Sequence, residues 1–385
     1  MKVLHTADWH LGRRLCGRSL LEDQRLVLDR ITGIAVREKP DLIVIAGDVY
    51  DRAIPGAEAV RLLDDVLSTL VQNHGFKVLL IAGNHDGPDR LGFASGMLES
   101  MGLHIVGPLD PAITAFDVTD RHGPVRVIAL PYTHPAVVRE LLDDSTVGLH
   151  DHEAAMAALV ARAREKLVEG ERCILVAHAF VAGGQSTEEA ERELSVGGAG
   201  EIPTSIFNGF SYVALGHLHR PQTHGTRQHV HYAGSPLKYS FHEDHQKSVS
   251  VVEICKRGMV TIRQEPLTPI HDVRSIEGRF DDLITRSDRY GPTDDYLEIV
   301  YTDDALVSDA AARLAGVYPH CLAVRRKEIG VAGELGGISP ADARILSLED
   351  LFKQFYADVT GNEIGAEHTR ELLSVIDDGM KGGTL

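Results

Sequence analysis

The residues best equipped for chemistry form five short groups: Asp8-Trp9-His10, Gly47-Asp48-Val49-Tyr50-Asp51, Gly83-Asn84-His85-Asp86, Ala177-His178 and Gly216-His217-Leu218-His219. Together they offer what a dinuclear metal site needs. A carboxylate can bridge two cations, an imidazole binds one ion through one nitrogen, and an amide oxygen adds a neutral ligand. Mixed nitrogen and oxygen ligation without thiolate favours manganese, iron or zinc over magnesium or calcium, and affinity order alone does not choose among them. Two such ions ~3.5–4 Å apart make water a nucleophile near neutral pH and offset charge on a phosphate in its transition state. An isolated DxH or HxH pair is usually surface chemistry or a satisfied core polar group, and GD or GN at a strand end is usually a plain turn. Only the joint occurrence of all five groups points to a metal site. His5, His74, His104 and His122 lack such a setting and read as ordinary residues.

The groups need elements to position them, and each stands at or just beyond the end of an apolar run. The runs are Val3-Leu4-His5-Thr6-Ala7, Asp41-Leu42-Ile43-Val44-Ile45-Ala46, Lys77-Val78-Leu79-Leu80-Ile81-Ala82, Cys173-Ile174-Leu175-Val176-Ala177 and Tyr212-Val213-Ala214-Leu215. A further run, Val125-Arg126-Val127-Ile128-Ala129-Leu130, ends without a ligand group. Such β-branched runs, apolar on both faces, predict strands buried in the middle of a layered α/β domain. In open α/β sheets the C-terminal strand edge is where ligands bind. A glycine just before Asp48, Asn84 and His217 is expected to let the chain turn sharply as it leaves the sheet. Helices are predicted over 24–38 and 57–72, the second with Val60, Leu63, Val66, Leu67, Leu70 and Val71 at three- and four-residue spacing. Hairpin patterns follow, over 229–233, 248–254 and 259–264.

Around Asp272 the character changes. Segments 273–278, 296–301 and 321–326 read as strands, with helices near 281–289 and 308–316, a small β-α-β-α-β unit expected to be a second domain. Gly330-Val331-Ala332-Gly333-Glu334-Leu335-Gly336-Gly337 is a Gly-rich linker. In the tail, Ser347 with Asp350 forms a capping box, Leu348, Leu351, Phe352 and Phe355 share one helical face, and Leu372, Leu373 and Ile376 mark a second amphipathic helix.

At 385 residues the chain suggests two or three domains, and 43% hydrophobic with 25% charged residues is a soluble globular composition. No apolar run approaches the ~18 residues of a membrane span. The N-terminus has no signal-peptide pattern, so a cytoplasmic protein is expected. Cys16, Cys173, Cys255 and Cys321 are scattered without a CxxC pair, which argues for reduced thiols over a disulfide framework or a cysteine-rich zinc site. The formal charge of -17 argues against a generic nucleic-acid binder, whose phosphate contacts come from Lys and Arg.

The order DxH, GDxxD, GNHD, AH, GHLH resembles the calcineurin-like metallophosphoesterase superfamily. Residues 1 to about 330 are similar to its SbcD-like branch of exonuclease subunits, with archaeal and eukaryotic break-repair relatives. The motifs that carry this are HTADWHLG, AGDVYDR, AGNHD, ALGHLH and YAGSPLKYSF, the last running from Tyr232 to Phe241. The resemblance implies an α/β fold, a layered metallophosphoesterase β-sandwich flanked by helices, with a small α+β cap domain and a helical C-terminal tail. The implied division is a nuclease domain over 1–270, a DNA-binding cap over 271–329, a linker over 330–346 and a partner-binding tail over 347–385. It also implies two Mn²⁺ ions, other divalent transition metals remaining open. Asp8, His10, Asp48 and His219 would hold one; Asp48, as the bridge, with Asn84, His178 and His217 would hold the other. His85 would be a non-ligand that protonates the leaving oxygen or stabilises charge on the phosphate, with Asp86 placed to orient it. In the archaeal branch a histidine lies three residues after the bridging aspartate; here that position is Asp51, which cannot donate to phosphate and is expected to orient Arg52 or a neighbouring loop.

The leading expectation is therefore the nuclease subunit of an SbcC–SbcD-like complex, cutting double-stranded DNA ends and hairpins as a manganese-dependent 3′–5′ exonuclease and endonuclease in DNA repair, recombination and replication. Its tail helices would bind an SMC-like ATPase. Arg13, Arg14, Arg18 and Lys238 are candidates for a basic strip that offsets the acidic balance. The alternative is a metallophosphoesterase acting on small-molecule or protein phosphate esters, which suits the charge better but leaves the second domain and tail without a role. A non-catalytic scaffold would be expected to have lost ligands, and none of the seven is missing. Apolar stripes on the 57–72 helix, with Leu91, Met97, Leu98 and Met101, suggest a two-fold homodimer bundle or simply a buried helix pair.

Overall fold

The computed structural model describes residues 1–142, 151–168, 170–181, 184, 202–224, 227–303 and 305–327, with 353, 365 and 369. The chain divides into two compact units, Met1–Arg326 and Lys327–Leu385. The Gly-rich linker, the capping box at Ser347 and the apolar tail positions lie outside the described residues.

The first unit is built on two six-stranded mixed sheets. One has the order Val260–Pro266, Ser248–Ile254, Lys2–Thr6, Leu42–Ile45, Val78–Ile81, Leu103–Val106. Its last four strands are parallel, and Ser248–Ile254 joins Lys2–Thr6 antiparallel. The other has the order Gln222–His224, Arg227–Tyr232, Tyr212–Gly216, Arg172–His178, Gly123–Leu130, Ala115–Asp120, with the middle four strands parallel. The hairpin-like segment after Val230 is thus shared out: Arg227–Tyr232 turns back on Gln222–His224 in one sheet, while Ser248–Ile254 and Val260–Pro266 pair in the other.

Alternation within each apolar run explains the layers, because successive side chains leave a strand on opposite faces. Leu42, Val44, Leu79 and Ile81 point between the sheets, where they meet Val127, Ile174, Val176, Tyr212 and Ala214. Ile43, Ile45, Val78 and Leu80 point outward, under the helices Leu21–Glu38 and Ala57–Ser68. On the far side Cys173, Leu175, Val213 and Leu215 are covered by Pro135–Leu141 and His152–Arg164. Helix, sheet, sheet and helix therefore stack in that order, and a strand with both faces covered has no room for polar alternation. The first helix starts three residues before its apolar pattern does, at Leu21 instead of Gln24. The second runs into a wide π-turn, Thr69–Asn73.

Beyond Asp272 the strands Val273–Gly278, Tyr296–Tyr301 and Cys321–Arg326 make a parallel three-stranded sheet. Helices Phe280–Thr285 and Ala310–Ala315 join them, and Ile276, Phe280, Leu283, Leu297, Ile299, Leu314 and Tyr318 form a core of their own. This small sheet is tied back to the larger one. Tyr296 Oη donates to Asp23 Oδ2 at 2.9 Å, and Lys238 Nζ reaches Asp272 at 2.9 Å and the carbonyl of Val273 at 3.2 Å.

The seam between the large sheets is not wholly apolar. His5 Nδ1 lies 2.8 Å from Tyr212 Oη, and His231 Nε2 lies 2.8 Å from Ser250 Oγ, with the two imidazoles packed edge to face. His5 is thus a buried partner of the second sheet, where its sequence setting marked it as ordinary. Burial holds His5 well below the usual histidine range, with His231 adding to the effect, and pushes His231 down to about 4. A histidine whose folded pKa is depressed contributes stability that is complete above its unfolded pKa, ~6.5, and is lost as pH falls below it, because only the unfolded chain then takes the proton. Acidification from pH 7 to 4.5 should cost roughly 2–3 kcal/mol through His231 alone. His231→Gln should flatten this acid limb in urea unfolding; a limb as steep as the wild type's would assign it to other groups.

Candidate metal centre

Five strand exits of the two sheets converge at one edge. Lys2–Thr6, Leu42–Ile45 and Val78–Ile81 deliver Asp8, His10, Asp48, Asn84 and His85 from the first sheet. Arg172–His178 and Tyr212–Gly216 deliver His178, His217 and His219 from the second, with Gly216 and His178 in register. The ligand atoms of Asp8, His10 and Asp48 all lie within 4.8 Å of one another, as do those of Asp48, His178 and His217. Asp48 belongs to both sets. His10 Nε2 and His219 Nε2 face each other at 3.1 Å, and Asn84 Oδ1 lies 2.9 Å from His178 Nε2 and 3.2 Å from His217 Nδ1. All seven side chains expected as ligands are therefore gathered in one place; six are buried and Asn84 is half-buried.

This convergence strains the backbone. Asp8, His10, Asp48 and His217 have φ of 54°, 44°, 49° and 112°, a region that residues with a Cβ rarely adopt. Such residues cost of order 1–3 kcal/mol each and persist only where their surroundings over-determine them. Here the surroundings do. The amides of Asp8 and His10 donate to the carbonyls of Gly47 and Asp48, the Gln24 amide donates to the carbonyls of Trp9 and His10 at 3.1 and 2.7 Å, and Tyr239 Oη donates to Trp9. The glycines act less by turning than by giving room. Only Gly47 of the three has positive φ, at 92°. A Cβ on Gly83 would stand 2.2 Å from the Asp48 amide nitrogen, and one on Gly216 would stand 1.9 Å from the Ala46 carbonyl oxygen.

Electrostatics separate the two carboxylates. Burial raises Asp8 to about 7, with the Asp48 charge adding to it against the pull of His178 and His219. Burial would also raise Asp48, but His178 beside it holds that carboxyl far below the usual range. His178 rises to about 9 despite burial, because Asp48 and Asp8 favour its charged form. Burial and the His178 charge drive His217 down to about 3, leaving a neutral imidazole. Asp8 Oδ1 accepts from the His217 amide at 2.9 Å, while its Oδ2 is buried with no hydrogen-bond partner among the described residues. An orphaned carboxylate oxygen, facing lone pairs and two acids in one buried pocket fit a site for divalent cations.

One expectation needs correction. Asp86 does not orient His85: His85 Nδ1 donates to the carbonyl of Asp51 at 3.0 Å. Asp86 instead accepts from the amides of Val49, Tyr50 and Gly83 at 3.0, 2.9 and 2.9 Å, bracing the loop that carries Asp48 and Asp51. Asp51 lies as expected, reaching Arg52 at 3.5 Å and holding Arg13, in the neighbouring loop after His10, at 2.9 Å. Residues 232–247 hold side chains that motif spacing did not mark as part of the site: Ser235, Glu243 and Lys247 are packed behind His219. Their one sequence signal is that they begin inside YAGSPLKYSF and run just past it. Tyr132, beyond the strand Gly123–Leu130, meets His178 edge-on at 6.4 Å, a place its sequence setting did not suggest.

The calcineurin-like phosphoesterase family model matches residues 1–221, and the SbcD_C model, described as the type 5 capsule protein repressor C-terminal domain, matches residues 269–360. The D subunit of the SbcCD nuclease of Staphylococcus saprophyticus is 32% identical over 392 aligned residues, covering 100% of both chains. Among solved structures, TT1561 of Thermus thermophilus aligns with 68% of this chain and 98% of its own, at 13% identity and a TM-score of 0.38. A dimetal phosphatase from Danio rerio aligns with 69% of this chain and 96% of its own, at 13% identity and a TM-score of 0.40.

Asp86→Ala should lower the unfolding free energy by about 2–4 kcal/mol, because three backbone amides lose a buried acceptor. Metal binding should weaken with it, and Asp86→Asn, which keeps one acceptor oxygen, should recover part of both. Chemical denaturation with and without manganese reads this out; full stability in Asp86→Ala would remove the bracing role.

Proposed function

The chain belongs to the calcineurin-like phosphoesterase family, in its SbcD branch, and from that premise we propose that it is the nuclease subunit of an SbcC–SbcD-like complex. The reading makes it a metal-dependent phosphodiesterase that cuts double-stranded DNA ends and hairpins, as a 3′–5′ exonuclease and endonuclease, in repair, recombination and replication. The observation that carries it is the set of seven buried or half-buried ligand side chains with Asp48 common to both halves. Asp8, His10, Asp48 and His219 would hold one Mn²⁺, and Asp48, Asn84, His178 and His217 the other. Two cations so held supply the charge that lets water attack phosphorus near neutral pH and that offsets the negative charge of the transition state.

The protein's own part is orientation and proton transfer. His85 is buried next to His10, with ring centroids 4.7 Å apart, and its Nδ1–H donates to the Asp51 carbonyl. Nε2 is thereby the nitrogen that faces the reaction, and in the imidazolium form its N–H would pass a proton to the leaving oxygen, leaving the ring neutral. Asp86 holds the loop and Asp51 holds Arg13, so His85 and the Arg13 guanidinium are fixed on one rim of the cluster.

The acidic balance is offset locally. Arg13 and Lys238 are committed to Asp51 and Asp272, but Arg14 and Arg18 join Arg61 and Arg25, the last paired with Asp65 at 3.2 Å, around a concavity of about 620 Å³ whose four arginines outnumber the carboxylates Glu22 and Glu58. Arg18 lies over the Tyr296 ring of the small sheet at 5.5 Å. This supports a DNA backbone path between the large sheets and a cap over 271–329. On this reading the tail beyond the linker binds the SMC-like ATPase; the name of the Staphylococcus relative, one subunit of a two-subunit nuclease, supports a partner.

A second copy is proposed on the face of the Ala57–Ser68 helix. Leu62, Leu63, Val66 and Leu67 are core, but Val60, Phe93, Met97 and Met101 are 43%, 81%, 78% and 51% exposed beside an apolar groove of about 320 Å³. Sedimentation should find a dimer at micromolar concentration that Met97→Glu splits; a wild-type monomer would end this part of the reading.

With manganese and the partner ATPase, His85→Ala should cut an end-labelled duplex roughly 10²–10⁴-fold more slowly while still binding metal. Undiminished cutting would overturn the proton-donor role. Faster turnover of a chromogenic phosphodiester than of a labelled hairpin, partner present, would favour the small-ester alternative.

A further inference from the structure

One imidazole of the cluster is held more elaborately than the others. His219 Nδ1 lies 3.2 Å from Glu243 Oε1, and since a carboxylate only accepts, Nδ1 carries the proton. The Nε2 lone pair is thereby aimed at the cluster, towards His10 Nε2. The same Glu243 oxygen accepts from the Tyr239 amide at 3.1 Å, and its other oxygen is ion-paired with Lys247 Nζ. Lys247 Nζ then turns back to the His219 carbonyl at 3.0 Å and to Ser235 Oγ at 2.7 Å. That carbonyl also accepts from the Ser235 amide and from His245 Nε2, each at 3.1 Å. Ring and backbone of one residue are thus clamped by a single network.

Glu243 is 1% and Lys247 3% exposed. Taking two charges out of water costs several kcal/mol per ion, and well-packed apolar residues commonly do as well for stability. What apolar residues cannot do is accept a proton bond from a ligating imidazole, fix its tautomer and raise its basicity. The ammonium group keeps that acceptor charged without water. Ser235 and Tyr239 belong to the YAGSPLKYSF segment, which also braces Trp9 and packs the Tyr239 ring edge-on against His10 and His219.

We propose that Glu243, backed by Lys247 and Ser235, is the positioning residue for His219, so that one of the two metal positions depends on it and the other does not. The dependent position is that of Asp8, His10, Asp48 and His219. This rests on the metal-centre reading above, and the test separates the two.

Manganese is titrated calorimetrically into the full chain. The wild type should take up two ions; Glu243→Gln should bind one with unchanged affinity and the other roughly 10–100-fold more weakly. Wild-type affinity for both ions in Glu243→Gln overturns the proposal, as does equal weakening of both with a lower melting temperature, the mark of a merely structural role. If Glu243→Gln does not fold, nitrogen-15 histidine NMR of the metal-free wild type decides: His219 protonated on Nδ1 upholds the proposal, and protonation on Nε2 overturns it. A wild type that binds no manganese removes the metal centre and this inference with it.

Discussion

Two carboxylates enclosed in one pocket govern the rest of this structure. Asp8 and Asp48 are both removed from water, and neither can ionise without regard to the other. His178 beside Asp48 settles its charge, whereas at Asp8 burial outweighs the imidazoles and raises the carboxyl to about 7, with one oxygen unpartnered among the described residues. Divalent cations would resolve the conflict in a way that side chains do not, since they would satisfy both acids and accept the lone pairs of the neutral histidines. The site is therefore frustrated as protein alone and coherent as a metal centre.

Bringing those groups together requires two sheets to present their strand exits within van der Waals contact of each other. Gly83 and Gly216 make the approach possible, and Gly47 sits where a Cβ would strike the His178 ring. Four ligand residues accept left-handed or stretched backbone as the consequence. Gln24, Tyr239 and Asp86 absorb this strain by hydrogen-bonding the backbone of the ligand loops themselves, at distances from 2.7 Å upward for Gln24 and Asp86. Precision at the edge is thus supported from behind by residues outside the candidate ligand set.

Much of this is legible in the order of residues alone. Runs such as Leu42-Ile43-Val44-Ile45 can only be strands with both faces covered, and the helix-sheet-sheet-helix stack covers them. Ligand groups stand out because each follows such a run. Other features have no sequence signature. The acceptors of His85 and the donors to Asp86 are backbone groups, identical at every position of a chain. Glu243 and Lys247 are an ordinary charged pair until folding places them behind a histidine 24 residues earlier. Of the basic residues singled out, Arg13 and Lys238 are engaged by Asp51 and Asp272, which only the tertiary structure reveals.

The proposed function depends on the site taking two cations that share Asp48. Anomalous diffraction from a crystal soaked in manganese measures this directly. The account predicts two peaks ~3.5–4 Å apart, one touching Asp8, His10, Asp48 and His219 and the other touching Asp48, Asn84, His178 and His217. A single peak, or two peaks with Asp48 on only one of them, would contradict it.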